Sequence, residues 1–131
     1  MTRKQRPNLT KATAARYSAK LLFQFRMVAN GDSGVRRLCE ERIIVFRAAS
    51  PRSALVEAKR RGKAAQHRYK NNLGDPVYFE FVGILDLLEL GAECEADEMW
   101  YGLVEKLRPM ERKHTILPKE KDLTAIRNAR A

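Results

Sequence analysis

The stretch YSAKLLFQFRMV, Tyr17 to Val28, places an apolar residue at every odd position from Tyr17 to Met27 and mostly polar ones between. A period of two fits extended chain, because a strand sends successive side chains to opposite faces. One face of this strand is built for burial. A chain of 131 residues then suits a single domain of roughly 100 residues plus tails, large enough to bury a core without metal or disulfide staples.

The segments that follow supply the rest of a sheet. Asn30 to Gly34, NGDSG, is rich in residues that accept positive φ, so a hairpin is predicted after the first strand. The second strand, Val35 to Ala49, puts Leu38, Ile44, Phe46 and Ala48 on one side and Cys39, Ile43 and Val45 on the other. Ser50-Pro51 is a helix start: the serine hydroxyl caps free N–H groups, and proline at the first helical position loses no hydrogen bond. Ala54, Leu55, Ala58, Gly62, Ala65 and Tyr69 then form a stripe of mostly small side chains at helical spacing, which lets a helix lie close on a sheet. Arg60, Lys63, His67 and Lys70 lie on or near another face of that helix, and NNLGDP, Asn71 to Pro76, ends it. The third strand, VYFEFVGILDLLEL from Val77, is nearly continuous in apolar residues from Phe81 to Leu85, which suits a central position. Met99 to Leu107 is read as a fourth strand, with a helix turn as the alternative.

The expected fold is α+β: a four-stranded, mainly antiparallel sheet built as strand, strand, helix, strand, strand, in the order 2-1-3-4, with one helix on one face. Residues 1–16 read as a flexible basic arm, 17–107 as the single α+β domain and 108–131 as a basic C-terminal tail.

Cys39 and Cys94 stand far apart without neighbours at ligand spacing, so neither a disulfide framework nor a zinc knuckle is suggested. No apolar run approaches the roughly 18 residues of a membrane span, and no apolar segment precedes Tyr17. The chain is expected to be soluble and cytoplasmic, with no membrane partner.

The net charge of +10 resembles a nucleic-acid signature. Its distribution weakens that reading. Residues 1–20 hold six Lys/Arg and no acid, residues 106–131 hold eight against three, and the section between holds twelve against thirteen. From Pro51 to Asn72 there are seven basic residues and one acid, whereas Asp75 to Glu105 holds nine acids and no Lys or Arg. Such polarity suits attraction between a basic helix and an acidic edge, within or between chains.

Catalytic groups are not prominent. His67 and His114 lack sequence-local partners of the kind a nucleophile and base require. Glu80 and Asp86 share one side of the third strand but stand about 20 Å apart at about 3.3 Å per residue, too far for a glycosidase-like pair. Glu40, Glu41 and Arg42 with Glu80 read as a structural salt-bridge cluster. Glu93, Glu95, Asp97 and Glu98 lack the glycine and bidentate spacing of a calcium loop. The glycines are isolated, with no phosphate-binding run. No catalytic, cofactor-binding or metal-ligating residue is therefore assigned, and no cofactor is expected.

The second face of the sheet carries the more telling pattern. Leu22, Ile43, Val45, Val82 and Ile84, with Trp100, form an expected apolar patch that one helix on the opposite face cannot cover. A non-enzymatic binding domain follows, self-associating as a homodimer or binding another protein. The alternative is a nucleic-acid binder using Arg3, Lys4 and Arg6 of the N-terminal arm, Arg60, Lys63 and Lys70 of the helix, and Arg112 and Lys113 of the tail. A small enzyme is the third reading.

The blocks YSAKLLF, EERIIVFRAASPRSALVEA and YFEFVGILDLLEL resemble those of a small bacterial family, the domain of unknown function 4288. The likeness covers about Tyr17 to Leu107. It implies a compact α+β bacterial domain without an established activity, so it carries no catalytic residue to this chain. The basic tails depart from the family core.

Overall fold

A computed structural model describes residues 14–91 and 93–129. The described residues up to Tyr101 form one compact unit and those from Gly102 a second. In the first, strand β1 (Ala15–Met27) is flanked by β2 (Cys39–Ala48) and β4 (Pro76–Leu90), and β3 (His67–Lys70) lies outside β4. All three pairings are antiparallel. The sheet order is β2-β1-β4-β3, with helix α1 (Pro51–Ala64) against β1, β2 and β4. In the second unit, α2 (Lys113–Ile116), a 3-10 turn (Glu120–Asp122) and α3 (Thr124–Ala129) bury no residue.

The predicted hairpin follows from Asn30 and Gly31. Their φ values of 55° and 76° are both positive, and Ala29 and Asp32 exchange backbone hydrogen bonds of 3.0 Å. Two positive φ values give the tight turn whose twist matches antiparallel strands. The helix start is also as expected: the Ser50 hydroxyl accepts from the Ser53 N–H at 3.1 Å, and the Ser53 hydroxyl accepts from the Ser50 N–H at 3.0 Å.

The α+β architecture and the pairing of the first strand with both the second and the Val77 strand stand, but the remaining sheet position does not. Met99 to Leu107 has no regular secondary structure, and the outer position is taken by His67–Lys70. Tyr69 and Lys70, read as helical, belong to this short strand. The helix stops at Ala64, and the Asn71 side chain accepts N–H groups from Leu73 and Asp75 at 3.0 Å to build a β3–β4 turn. The helical spacing that led from Ala65 to Tyr69 was coincidental. Pairing of His67 with Phe79 and of Tyr69 with Val77 outweighs local propensity there.

The core lies between sheet and helix. Phe23 is 0 % exposed, and Leu21, Phe46 and Phe79 are buried with it, while Phe25, Ile44 and Phe81 pack against this cluster half-buried. The rings of Phe23 and Phe79 stack at 4.6 Å between centroids. Ala54, Ala58 and Gly62 are the buried residues of α1, so the small-residue stripe sets its close approach.

Strand β4 is longer than its partner requires. Between Lys20 and Leu21, and again between Leu22 and Phe23, the β1–β4 register shifts. Each shift leaves one β4 residue, Leu85 and then Val82, without a partner, and they are 48 % and 55 % exposed. Such bulges bend a strand and exchange the faces of the residues beyond them.

Candidate interaction surface

The side of the sheet away from α1 is built from the even-numbered residues of β1. Arg16, Ser18, Lys20, Leu22, Gln24 and Arg26 run along its middle. Opposite them on β2 stand Arg47, Val45, Ile43, Glu41 and Cys39; on β4 stand Leu90, Leu88, Asp86, Gly83, Glu80 and Tyr78. This face divides into three parts.

One end is covered by the chain itself. The Arg16 guanidinium donates to the carbonyls of Glu95 at 2.7 Å, Ala96 at 2.8 Å and Glu98 at 3.2 Å. The Ser18 hydroxyl donates to the Met99 carbonyl, and the Lys20 ammonium lies 5.2 Å from the centre of the Trp100 ring. The segment from Glu95 to Trp100 is thus a strap across the β1 residues at this end, with Leu90 buried beside it. Trp100, expected in an open patch, is half-buried in the strap. Cys94 precedes it, and burial, then Glu98 and Glu93, pushes its thiol above the ordinary range. That disfavours thiolate chemistry.

The opposite end is a polar network. Arg26 places its guanidinium on Glu80 through two hydrogen bonds of 2.9 Å, and the Gln24 amide donates to the same carboxylate at 2.9 Å. The guanidinium also stacks over the Tyr78 ring at 4.5 Å. Arg26 and Gln24 hold the Glu80 carboxyl below its usual range. A carboxylate so committed carries no proton near neutral pH. The expected cluster of Glu40, Glu41 and Arg42 with Glu80 does not form, because Arg42 pairs with Glu40 at 2.6 Å on the helix side and its guanidinium lies 4.7 Å from the centre of the Phe23 ring.

The apolar residues left open run from β2, where Val45 and Ile43 stand opposite Ser18 and Lys20 beside the strap, to Leu22, which lies opposite Glu41 and Gly83. Leu22 and Val45 are half-buried and Ile43 is 38 % exposed. A Cβ placed on Gly83, opposite Leu22, meets nothing within 4 Å. Ile84 is not part of this surface: it pairs with Leu21 and packs against the helix-side core. The bulge at Val82 changed its face, a shift that strict alternation does not reveal. Val82 is exposed at that bulge.

The basic candidates are dispersed. Arg60 and Lys63 are exposed on α1, with Arg60 held to Glu57 at 2.7 Å, whereas Lys70 is on β3 rather than on the helix. Arg112 and Lys113 belong to the second compact unit, and Arg3, Lys4 and Arg6 lie outside the described residues. His67 sits on β3, its Nδ1 3.0 Å from the Ala65 carbonyl oxygen and its ring 5.1 Å from that of Phe79. Among the described residues no three His, Cys, Asp or Glu side chains are grouped to hold a metal ion, and no helix is long and apolar enough to cross a membrane.

Beyond the end of α1, an open cleft of about 540 Å³ is floored by Phe25, Met27, Tyr69 and Val77. Its acid, Asp32, accepts the Gly34 N–H at 3.0 Å and so serves the turn.

The sequence missed the strap because Arg16, Ser18 and Met99 have no local pattern in common. Comparison with known protein families shows that the family described as Domain of unknown function (DUF4288) matches residues 16–99. No curated protein and no solved structure matches the chain.

Proposed function

The chain belongs to the DUF4288 family, and we propose that it is a non-enzymatic protein-interaction domain whose first partner is a second copy of itself. The observation that carries this reading is the group of apolar side chains on the sheet face that the strap leaves uncovered. The strap shields the Arg16–Lys20 end, the Glu80 network fills the other, and Ile43 remains 38 % exposed beside Leu22 and Val45. Burying such apolar surface is favourable by about 25 cal/mol per Å², offset in part by the cost of association. Glu80 is committed to Arg26 and Gln24, which favours a binding role over proton transfer.

The test compares wild type with Ile43→Asp/Val82→Asp by light scattering over a range of concentrations, with circular dichroism as a check on folding. A concentration-dependent dimer in wild type and a folded monomer in the double variant are expected. A wild type monomeric at every concentration overturns the reading.

Nucleic-acid binding is the second reading, favoured by the net charge of +10 and the exposed Arg60 and Lys63. It requires retention on heparin that falls steeply with salt, by a log–log slope of about −0.9 per phosphate neutralised on duplex DNA. Passage through heparin at low salt removes it. Either role fits a place in the bacterial cytoplasm.

A further inference from the structure

Strand β2 is paired on one side only. Its inner edge meets β1, and among the described residues no strand meets its outer edge. The Phe25 N–H donates to the Leu38 carbonyl at 2.9 Å, which fixes the parity of the ladder. Bonded pairs alternate along antiparallel strands, so the backbone groups of Glu40, Arg42, Ile44 and Phe46 turn toward β1. Those of Glu41, Ile43, Val45 and Arg47 turn outward. An edge of this kind is a template for another strand.

The other side of the sheet is less suited to pairing. Strand β3 has four residues, and the run of β4 beyond it is interrupted by the bulges at Val82 and Leu85. Bulges of this sort blunt an edge. The regular edge is that of β2.

We propose that two copies of this chain join edge to edge through β2, antiparallel about a two-fold axis at Ile44, so that Glu41 faces Arg47 of the partner subunit. This rests on the self-association reading above and names its contact. Outward groups must meet outward groups, which allows only a few registers. An axis at Arg42 sets two arginines against each other. An axis at Ile43 sets Glu41 against Val45 of the partner subunit and leaves Arg47 facing Cys39 of the partner subunit. The axis at Ile44 places Ile43 against Val45 of the partner subunit and matches opposite charges at both ends. Among the described residues neither Glu41 nor Arg47 is in an ion pair; Arg47 has a hydrogen bond of 3.4 Å to the Ala14 carbonyl. Ile43 of each copy then packs beside Val45 of the partner subunit, which covers part of the apolar surface that continues to Leu22.

A two-strand contact is small beside the roughly 1,200–2,000 Å² of a stable interface, so the dimer is weak and concentration-dependent. The test uses charge reversal at two exposed positions, with light scattering as the readout and circular dichroism as the folding check. Glu41→Arg places arginine at both positions of each copy, and Arg47→Glu places glutamate at both. Each variant alone sets like charges together twice, and its dimer dissociation constant is expected to rise about tenfold. An equimolar mixture of the two restores opposite charges at every contact and should dimerise as wild type does. Arg68→Glu, on β3 at the opposite edge of the sheet, should leave the dimer unchanged. A wild-type dimer that neither reversal weakens, or a mixture no stronger than its components, overturns the β2 contact while self-association stands. A wild type monomeric at every concentration overturns self-association itself, and this contact with it.

Discussion

A Cβ built on Gly62 of α1 stands 2.5 Å from the Phe81 ring of β4. Helix and sheet touch here without room for a methyl group. Alanine favours a helix interior by about 1 kcal/mol over glycine, but forced overpacking costs about 1–3 kcal/mol, and the Phe81 ring is already packed 5.7 Å from that of Phe23. Gly62→Ala should therefore lower stability by about 1 kcal/mol. In a Phe81→Leu background the same change should be neutral or stabilising. A higher urea midpoint for Gly62→Ala in the otherwise wild-type protein would show that the ring yields freely.

Phe23 is fully buried at the centre of the core, whereas its neighbour Phe25 is half-buried beyond the end of α1. Phe23→Ala should cost about 3–5 kcal/mol. Phe25→Ala, which removes less buried surface, should cost about 1–2 kcal/mol. Urea unfolding of the two variants orders them, and equal losses would mean that the core extends past the helix end.

Arg60 and Arg61 both donate to Glu57 at 2.7 Å, and together they hold its carboxyl down at about 2, from an ordinary value of 4.5. A depressed carboxyl stabilises the fold above its unfolded value and loses that contribution as pH falls through the folded one. The stability difference between wild type and Glu57→Gln should be constant above about pH 5 and shrink between about pH 4.5 and 2. A difference that stays flat across this window would show that the two arginines leave the carboxylate when solvated.

The strap depends on Arg16, whose guanidinium holds three carbonyls of the Glu95–Glu98 segment. Arg16→Ala should raise hydrogen exchange and proteolytic cleavage over residues 93–101 while β1 and β4 keep their protection. Arg16→Lys offers a point charge in place of a planar fork and should restore only part of it. Unchanged cleavage in Arg16→Ala would assign the strap to Ser18 and Trp100 instead.

Local chemistry was sufficient for much of this fold. The odd-position alternation set the buried side of β1 from Tyr17 to Phe25, with Met27 exposed at its end, Asn30-Gly31 set the hairpin, and Ser50-Pro51 with the small residues of α1 set a helix lying close to the sheet. Each rests on neighbours within a few residues, where backbone preference and side-chain spacing act directly. That Leu22, Ile43 and Val45 share the face away from the helix was legible for the same reason. Three features were decided by tertiary structure. His67–Lys70 is short and polar, and it is a strand because β4 offers a free edge beside Val77 and Phe79. Ile84 faces the helix because two bulges absorb extra residues of β4 against β1, which alternation within β4 alone cannot show. The Glu95–Trp100 segment lies across β1 because Arg16 and Ser18, about 80 residues earlier, donate to the backbone carbonyls of Glu95, Ala96, Glu98 and Met99.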